Sequence, residues 1–320
     1  MSVEKEKYPL ISELGGVVRR LRRLPDLEDK RWSALNPSIG VSPTDYAVAI
    51  RSSNYLIDPT TGVLNVLTGG LVKNRMWFCY LTDDLELDTE MLKEISFDSG
   101  PYDLDLKRGC EDPKLFWRDG SWFFTAVILE ISVPIARIGL FKLENYHATL
   151  LEIYNYEWMD AKRVEKNWMA TYEKSEHFDY IYGPNLVVAD GVLKAVAAIP
   201  DSLKGIRGSG NLWELPDGSY LAICHRMNAK PIRFWDPRSF AVRDSALRNY
   251  THFFVKYSER GIVTHVSKEF QFLDRGIEYA AGILVKDETV HVSFGSKDVS
   301  SHIADIPLST VLSMLEEVEQ

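Results

Sequence analysis

The sequence predicts an all-β fold, specifically a five-bladed β-propeller, and three observations carry that expectation. Short runs of β-branched and aromatic residues recur along the chain. Asp-Gly pairs fall between several of them, and a weak strand-turn-strand repeat returns five times. The runs include "DYAVAIRSSNYLI", "RMWFCYL", "SWFFTAVI", "FDYIYG", "VLKAVAAI", "SYLAICH", "HFFVKY" and "TVHVSFG". Asp119-Gly120, Asp190-Gly191 and Asp217-Gly218 supply hairpin turns. The repeats start near residues 36, 111, 165, 209 and 279, each with a polar entrance, an apolar strand, a turn and a second strand. With further strands between them, five such pairs build five four-stranded blades whose entrances converge on one mouth. In the alternative, a β-sandwich of ordinary hairpins, the entrances do not converge.

Boundaries follow from the same pattern. Residues 1–31 are expected to form an arm or short helix, because Pro25 interrupts the opening apolar pattern and Gly15-Gly16 weaken it. Its basic run, Arg19-Arg20 and Arg22-Arg23, reads as a solvated face or a cover over acidic surface. Residues 32–305 form the propeller. The segment "IPLSTVLSMLEEVEQ", 306–320, has helical periodicity and is expected to be a C-terminal helix.

Composition narrows the function classes. The 320 residues are 45% apolar and 26% charged, with a net charge of -9, which disfavours broad nucleic-acid binding. No apolar segment approaches the roughly 18 residues of a membrane span, and "MSVEKEKYPL" lacks an apolar signal core, so a cytoplasmic protein is expected. Cys79, Cys110 and Cys224 are far apart and read as core residues. Seven scattered histidines show no ligand spacing, so neither a metal nor a bound cofactor is expected. No GxGxxG or GxxxxGK segment supports a doubly wound nucleotide-binding domain.

The entrances bring different chemistry. The first supplies Asn36, with Arg51 and Asn54 on its strand pair; the second supplies Glu111 and Asp112. The third supplies Glu165, Lys166 and Asn167; the fourth Ser209 and Asn211, with His225 and Arg226 closing its hairpin. The fifth carries Glu278 and Tyr279, and its return strand ends at Asp298. A structural ion network is one use of such charges; a polar sugar site with a proton donor and a cationic anion subsite is the other. Asp112 is the favoured acid, since an extended entrance puts Glu111 and Asp112 on opposite sides and Pro113 holds Asp112 extended. A glycosidic oxygen leaves more readily when protonated, and an attacking phosphate needs cations where attacking water needs a base.

At these residues the chain resembles glycoside hydrolase family 130, the β-mannoside phosphorylases, and its mannosyltransferase branch. The resemblance rests on "NPSI" at 36–39, "EDPK" at 111–114, "EKNW" at 165–168, "LAICHR" at 221–226, "IEYAAG" at 277–282 and "SFGSKD" at 293–298. It implies a five-bladed propeller acting on mannosides with inversion, Asp112 being the acid and its proton relayed through the mannose 3-hydroxyl. Asn36, Arg51 and Asp298 would hold sugar hydroxyls, together with Asn54, Glu111, Asn167, Asn211 and Tyr279. Lys166, His225, Arg226 and Arg163 would face phosphate. Lys114 replaces the arginine of the usual "EDPR", a point cation in place of a planar fork.

The leading expectation is therefore mannosyl transfer between inorganic phosphate, as cosubstrate, and a carbohydrate. A hydrolase would need a base across the sugar, with Glu165 or Glu278 as candidates. A nucleotide-sugar transferase would need a larger basic and aromatic groove, and a noncatalytic carbohydrate-binding propeller would need no acid. The expected partners are a small carbohydrate and phosphate or a sugar phosphate; homo-oligomerisation stays open.

Overall fold

Alternating apolar strands pair with their sequence neighbours into five main sheets and a small two-stranded ribbon among the described residues. The computed structural model describes residues 8–22, 31–129, 136–159, 165–172, 174–236, 241–274 and 276–319. The first sheet contains Ser33–Val41, Tyr46–Ser53, Asn74–Leu81 and Lys93–Glu94; the second runs from Cys110–Arg118 through Ser121–Ile128 and Arg137–Glu144 to His147–Ile153. Short strands from Met169–Ala170 to Val192–Ala195 form the third. The fourth is built on Ile206–Gly208, Tyr220–Asp236, Ala241–Tyr257 and Val263–Ser267, and the fifth on Glu278–Lys286, Thr289–Ser296 and Ser300–Pro307. At Asp119-Gly120 and Asp190-Gly191 both residues are left-handed, the backbone that two-residue hairpins require.

Apolar cores lie between consecutive sheets. Phe124 and Phe141 of the second sheet meet Ala49 and Phe78 of the first, and Phe254 of the fourth meets Ile283 and Phe294 of the fifth. Another core joins Ile303 and Leu284 of the fifth sheet to Val48 and Ile50 of the first. The edge strands Ser33–Val41, Cys110–Arg118 and Glu278–Lys286 pack against one another at the centre. There, buried side chains satisfy backbone groups of neighbouring sheets. Ser38 Oγ donates to the Ala281 carbonyl (2.8 Å) and accepts from Leu115 N–H (2.9 Å), while Asn211 Nδ2 donates to the Leu115 carbonyl (2.8 Å).

This close approach fixes a glycine. A Cβ on Gly282 would lie 2.5 Å from the Ile39 nitrogen and 2.8 Å from its carbonyl oxygen. Gly282→Ala is expected to destabilise the fold by about 1–3 kcal/mol, because backbone cannot yield as a side chain can. Gly183→Ala, where a Cβ meets nothing within 4 Å, is the control for thermal unfolding.

Three expectations need correction. The opening segment is not a detached arm. After a 3-10 turn at Ile11–Leu14, Val17–Arg20 pairs with Ser300–Pro307 as a fourth strand of the fifth sheet, and Arg19 pairs with Asp305 and Glu86. The C-terminal helix covers only Leu308–Met314, after which Leu315–Glu317 pairs with Val263–Ser267. The Val318 side chain joins the core between the third and fourth sheets, which an unbroken helix would prevent. Finally, the fourth sheet's central hairpin has two 17-residue strands paired along their whole length, well beyond "SYLAICH" and "HFFVKY". Its outer half, which includes Pro231 and exposed Trp235 and Val242, mixes apolar and charged residues without alternation and lacks a buried face, so its sequence resembles a loop.

Candidate active site

The strand entrances of several sheets border one cavity of 320 Å³. Asn36, Asp112 and Asn167 enter it from three sheets or their connections, and all three are left-handed (φ 47°, 49° and 70°). Asn36 and Asp112 sit where the strand register shifts, so each belongs to a bulge that re-aims its side chain. This corrects the extended geometry expected at Asp112. With the backbone left-handed, Glu111 and Asp112 do not face opposite ways; both reach the same arginine.

That arginine is Arg51, only 3% exposed. Its Nη1 donates to Asp112 Oδ1 (2.8 Å), its Nη2 to Glu111 Oε1 (2.6 Å), and its Nε to Asn74 Oδ1 (2.9 Å). Asn36 Nδ2 also donates to Asp112 Oδ1 (2.7 Å). Burial opposes ionisation of Asp112, but Arg51 and Lys166 outweigh it and hold the carboxyl below its ordinary range. Asp298 accepts from the Tyr55 hydroxyl (3.2 Å), and burial raises its pKa. Tyr279 donates to Asn167 Oδ1 (3.0 Å).

The opposite wall is cationic. His225 Nδ1 lies 2.7 Å from Ser209 Oγ. Burial, reinforced by His252, Lys114, Lys166 and Arg207, holds His225 well below the usual imidazole range, so it is neutral at neutral pH. Lys166 and Arg207 border the cavity, are exposed, and have no hydrogen-bond or ion-pair partner among the described residues. With Arg108 and Arg248 also lining it, four cationic side chains besides Arg51 share the cavity with the carboxylates Glu111, Asp112 and Asp298. A positive mouth on a chain of net charge -9 attracts anions locally.

Asn36, Arg51, Glu111, Asp112, Lys166, Asn167, His225, Tyr279 and Asp298 therefore meet, as their sequence positions suggested. Three others lie elsewhere. Fully buried Asn54 donates to Thr68 Oγ1 and the Leu71 carbonyl, pinning the loop that leads to Asn74. Asn211 is the inter-sheet link described above. Arg226 turns outward to pair with Glu269 and covers the Phe253 ring, because the residue after His225 on a strand faces the other way. Arg163 lies outside the described residues.

Neither proposed hydrolytic base borders the cavity. Glu278, 1% exposed, accepts backbone N–H groups from Phe272, Leu273 and Asp274 (2.8–3.1 Å). Glu165 is buried and accepts from Trp168 Nε1 (3.3 Å). Glu278→Gln is expected to lower the thermal midpoint without affecting ligand binding, since its carboxylate holds a turn. Sequence reasoning missed Arg108, Arg207, Arg248, Tyr55 and Tyr250. Arg207 stands two residues before the fourth entrance, at Ser209, a position the repeat made visible; Arg248 and Tyr250 lie on the hairpin extension.

No protein-family model and no curated protein matches the sequence. Solved structures do match in fold. One is described as a GH130 mannoside-phosphorylase family member, from work on glycoside hydrolases that target β-1,2 mannosidic linkages in Candida mannan. It has 13% identity and TM-score 0.58, over 85% of this chain and 84% of that one. A β-1,2-mannobiose phosphorylase from Listeria innocua, bound to β-1,2-mannobiose, has 11% identity and TM-score 0.57, over 96% and 98%. MPT-1, a GDP-Man-dependent mannosyltransferase from Leishmania mexicana, has 13% identity and TM-score 0.51, over 91% and 89%. The chain is all-β and shares the fold of these enzymes.

Proposed function

We propose that this protein is a five-bladed β-propeller enzyme that transfers a mannosyl group, with inversion, between a phosphate-bearing donor and a carbohydrate hydroxyl. One observation carries the proposal: Asp112, anchored by Arg51 and Asn36, shares a cavity with the unpaired cations Lys166 and Arg207 beside neutral His225. Asn36, Arg51, Glu111, Asn167, Tyr279 and Asp298 orient the sugar, while Lys166, Arg207 and His225 hold phosphate oxygens. In phosphorolysis, phosphate oxygen attacks the anomeric carbon, the glycosidic C–O bond breaks, and the leaving oxygen takes a proton originating on Asp112 through a sugar hydroxyl. In synthesis the same path runs backwards: the acceptor hydroxyl loses its proton toward Asp112 and phosphate leaves with the bonding pair. An Asp112 held ionised in the free site is ready for the synthetic direction. Hydrolysis is less well supported, since Glu278 holds a backbone turn and Glu165, which lines only an adjoining side cavity, accepts from Trp168.

A second reading rests on a side cavity of 500 Å³ that shares Lys166, Asn167 and Arg207 with the first and adds Tyr182 and Lys204. Its volume would accept a substituent on the donor phosphate, as a nucleoside diphosphate sugar carries. The test is a product assay with β-mannosides, with and without phosphate, and with GDP-mannose plus mannose. Mannose 1-phosphate formed only with phosphate supports phosphorolysis, and GDP release with a new mannoside supports the second reading. Free mannose formed without phosphate defeats both. Arg207→Ala is expected to raise the KM for the phosphate-bearing substrate by roughly 10- to 100-fold, the value of a lost charge-assisted hydrogen bond.

A further inference from the structure

The central strands that begin at the candidate active site end at another cavity. Asn36 borders the first, whereas Val41 and Ser42 border the second; Asp112 and Trp117 are divided in the same way. At about 3.3 Å per residue the two lie roughly 17–20 Å apart. The inter-sheet hydrogen bonds of Ser38 and Asn211 lie between them.

This opposite cavity has a volume of 900 Å³ and four aromatic walls, Trp117, Tyr172, Trp213 and Tyr220. Two of the rings are braced edge-on: Trp117 against Trp122 (5.2 Å between centroids) and Trp213 against Tyr172 (5.5 Å). Its carboxylates, Glu214, Asp287 and Glu288, are exposed, and no Lys, Arg or His lines it among the described residues. Thr171, also on the wall, is 2% exposed and its hydroxyl has no hydrogen-bond partner among the described residues. Nor does either indole N–H of Trp117 and Trp213 donate to protein among the described residues, whereas those of Trp77, Trp158 and Trp168 do.

We propose that this opposite cavity is a second binding site, for an uncharged oligosaccharide. A pyranose presents C–H faces that stack on indole and phenol rings, and hydroxyls that both donate and accept. The cavity offers both kinds of partner, carboxylates to accept and indole N–H groups to donate. An organic cation would use the rings and the acids but has no acceptor for the indole donors. Phosphate and sugar phosphates are disfavoured by the three carboxylates. The site would hold a glycan chain on the face away from the catalytic cavity, and it stands whether or not the transfer reaction does.

The experiment is titration of the full chain with β-1,4-mannohexaose and cellohexaose in the absence of phosphate, followed by saturation-transfer NMR and tryptophan fluorescence. Binding of either glycan is expected, weakened about tenfold or more by Trp213→Ala and unaffected by Glu111→Ala, which removes a sugar contact of the catalytic cavity. Because Trp213 also packs against the core, Asp287→Asn with Glu288→Gln is the second variant. Both residues are exposed and left-handed, a backbone that asparagine tolerates, and the pair is expected to weaken binding severalfold with an unchanged thermal midpoint. Three results would each overturn the site: no glycan binding, binding lost in Glu111→Ala but kept in these variants, or binding of spermine alone.

Discussion

Asp112→Asn is expected to lower kcat for mannosyl transfer by about 10²–10⁴-fold while sugar binding stays within a few fold. That range is what a positioned acid or base contributes, and asparagine keeps the size and one acceptor oxygen while removing the ionisable carboxyl group. The substitution also leaves Arg51 with only Glu111 as a carboxylate partner at the cavity wall, so stability must be measured beside turnover. The sign of the pH effect follows from the lowered pKa of Asp112. Its ion pair contributes stability that is present above the unfolded carboxylate pKa of about 3.9 and lost as pH falls through the lower folded value. Wild-type protein should therefore lose stability below about pH 4 more steeply than Asp112→Asn. Equal turnover by a folded Asp112→Asn protein would remove Asp112 from the mechanism.

The site was legible where a polar residue interrupts an apolar strand. "NPS" and "EDPK" place Asn36, Glu111 and Asp112 at strand entrances, and such groups are tolerated there only if the entrance opens to water or to partners. Their left-handed backbone was not legible, because the bulges arise from pairing across the sheet rather than from local preference. Asn54 and Asn211 show the limit of the same rule. A buried amide that closes a loop or ties two sheets has the same sequence signature as one that binds a hydroxyl. Arg248 and Tyr250 were hidden for another reason: they lie on the long hairpin beyond its buried root, which holds them in register. The Lys114 position was visible as a departure, but its environment was not. It is 3% exposed, its Nζ has no hydrogen-bond partner among the described residues, and burial lowers its pKa to about 7.

Arg51→Met is expected to produce the largest loss of stability, about 3–5 kcal/mol, because it strips the cation from a cavity wall carrying several acids. Glu111 and Asp112 both pair with Arg51, and Tyr55 links it to Asp298. With the guanidinium gone, carboxylates that desolvation and mutual repulsion already disfavour have no compensating charge, so their folded pKa values rise above the unfolded ones. The folded state then binds more protons than the unfolded state between about pH 4 and pH 7, and its stability must increase as pH falls through that window. Wild-type protein gains nothing of the kind from Asp112, whose carboxyl is held below its ordinary range. Wild-type protein already gains some stability on acidification from Asp298 and Glu278, whose carboxyl pKa values burial raises. The readout is therefore a steeper gain from pH 7 to pH 5 in Arg51→Met, which is sharper than the loss itself, since any core defect could cause the loss. Arg51→Lys should recover part of the stability but little turnover, since one ammonium cannot span Glu111, Asp112 and Asn74 as the planar fork does. Denaturant titrations of the three proteins at pH 5 and pH 7 provide the check. An Arg51→Met protein with wild-type stability and slope would mean that this arginine does not organise the acids around it.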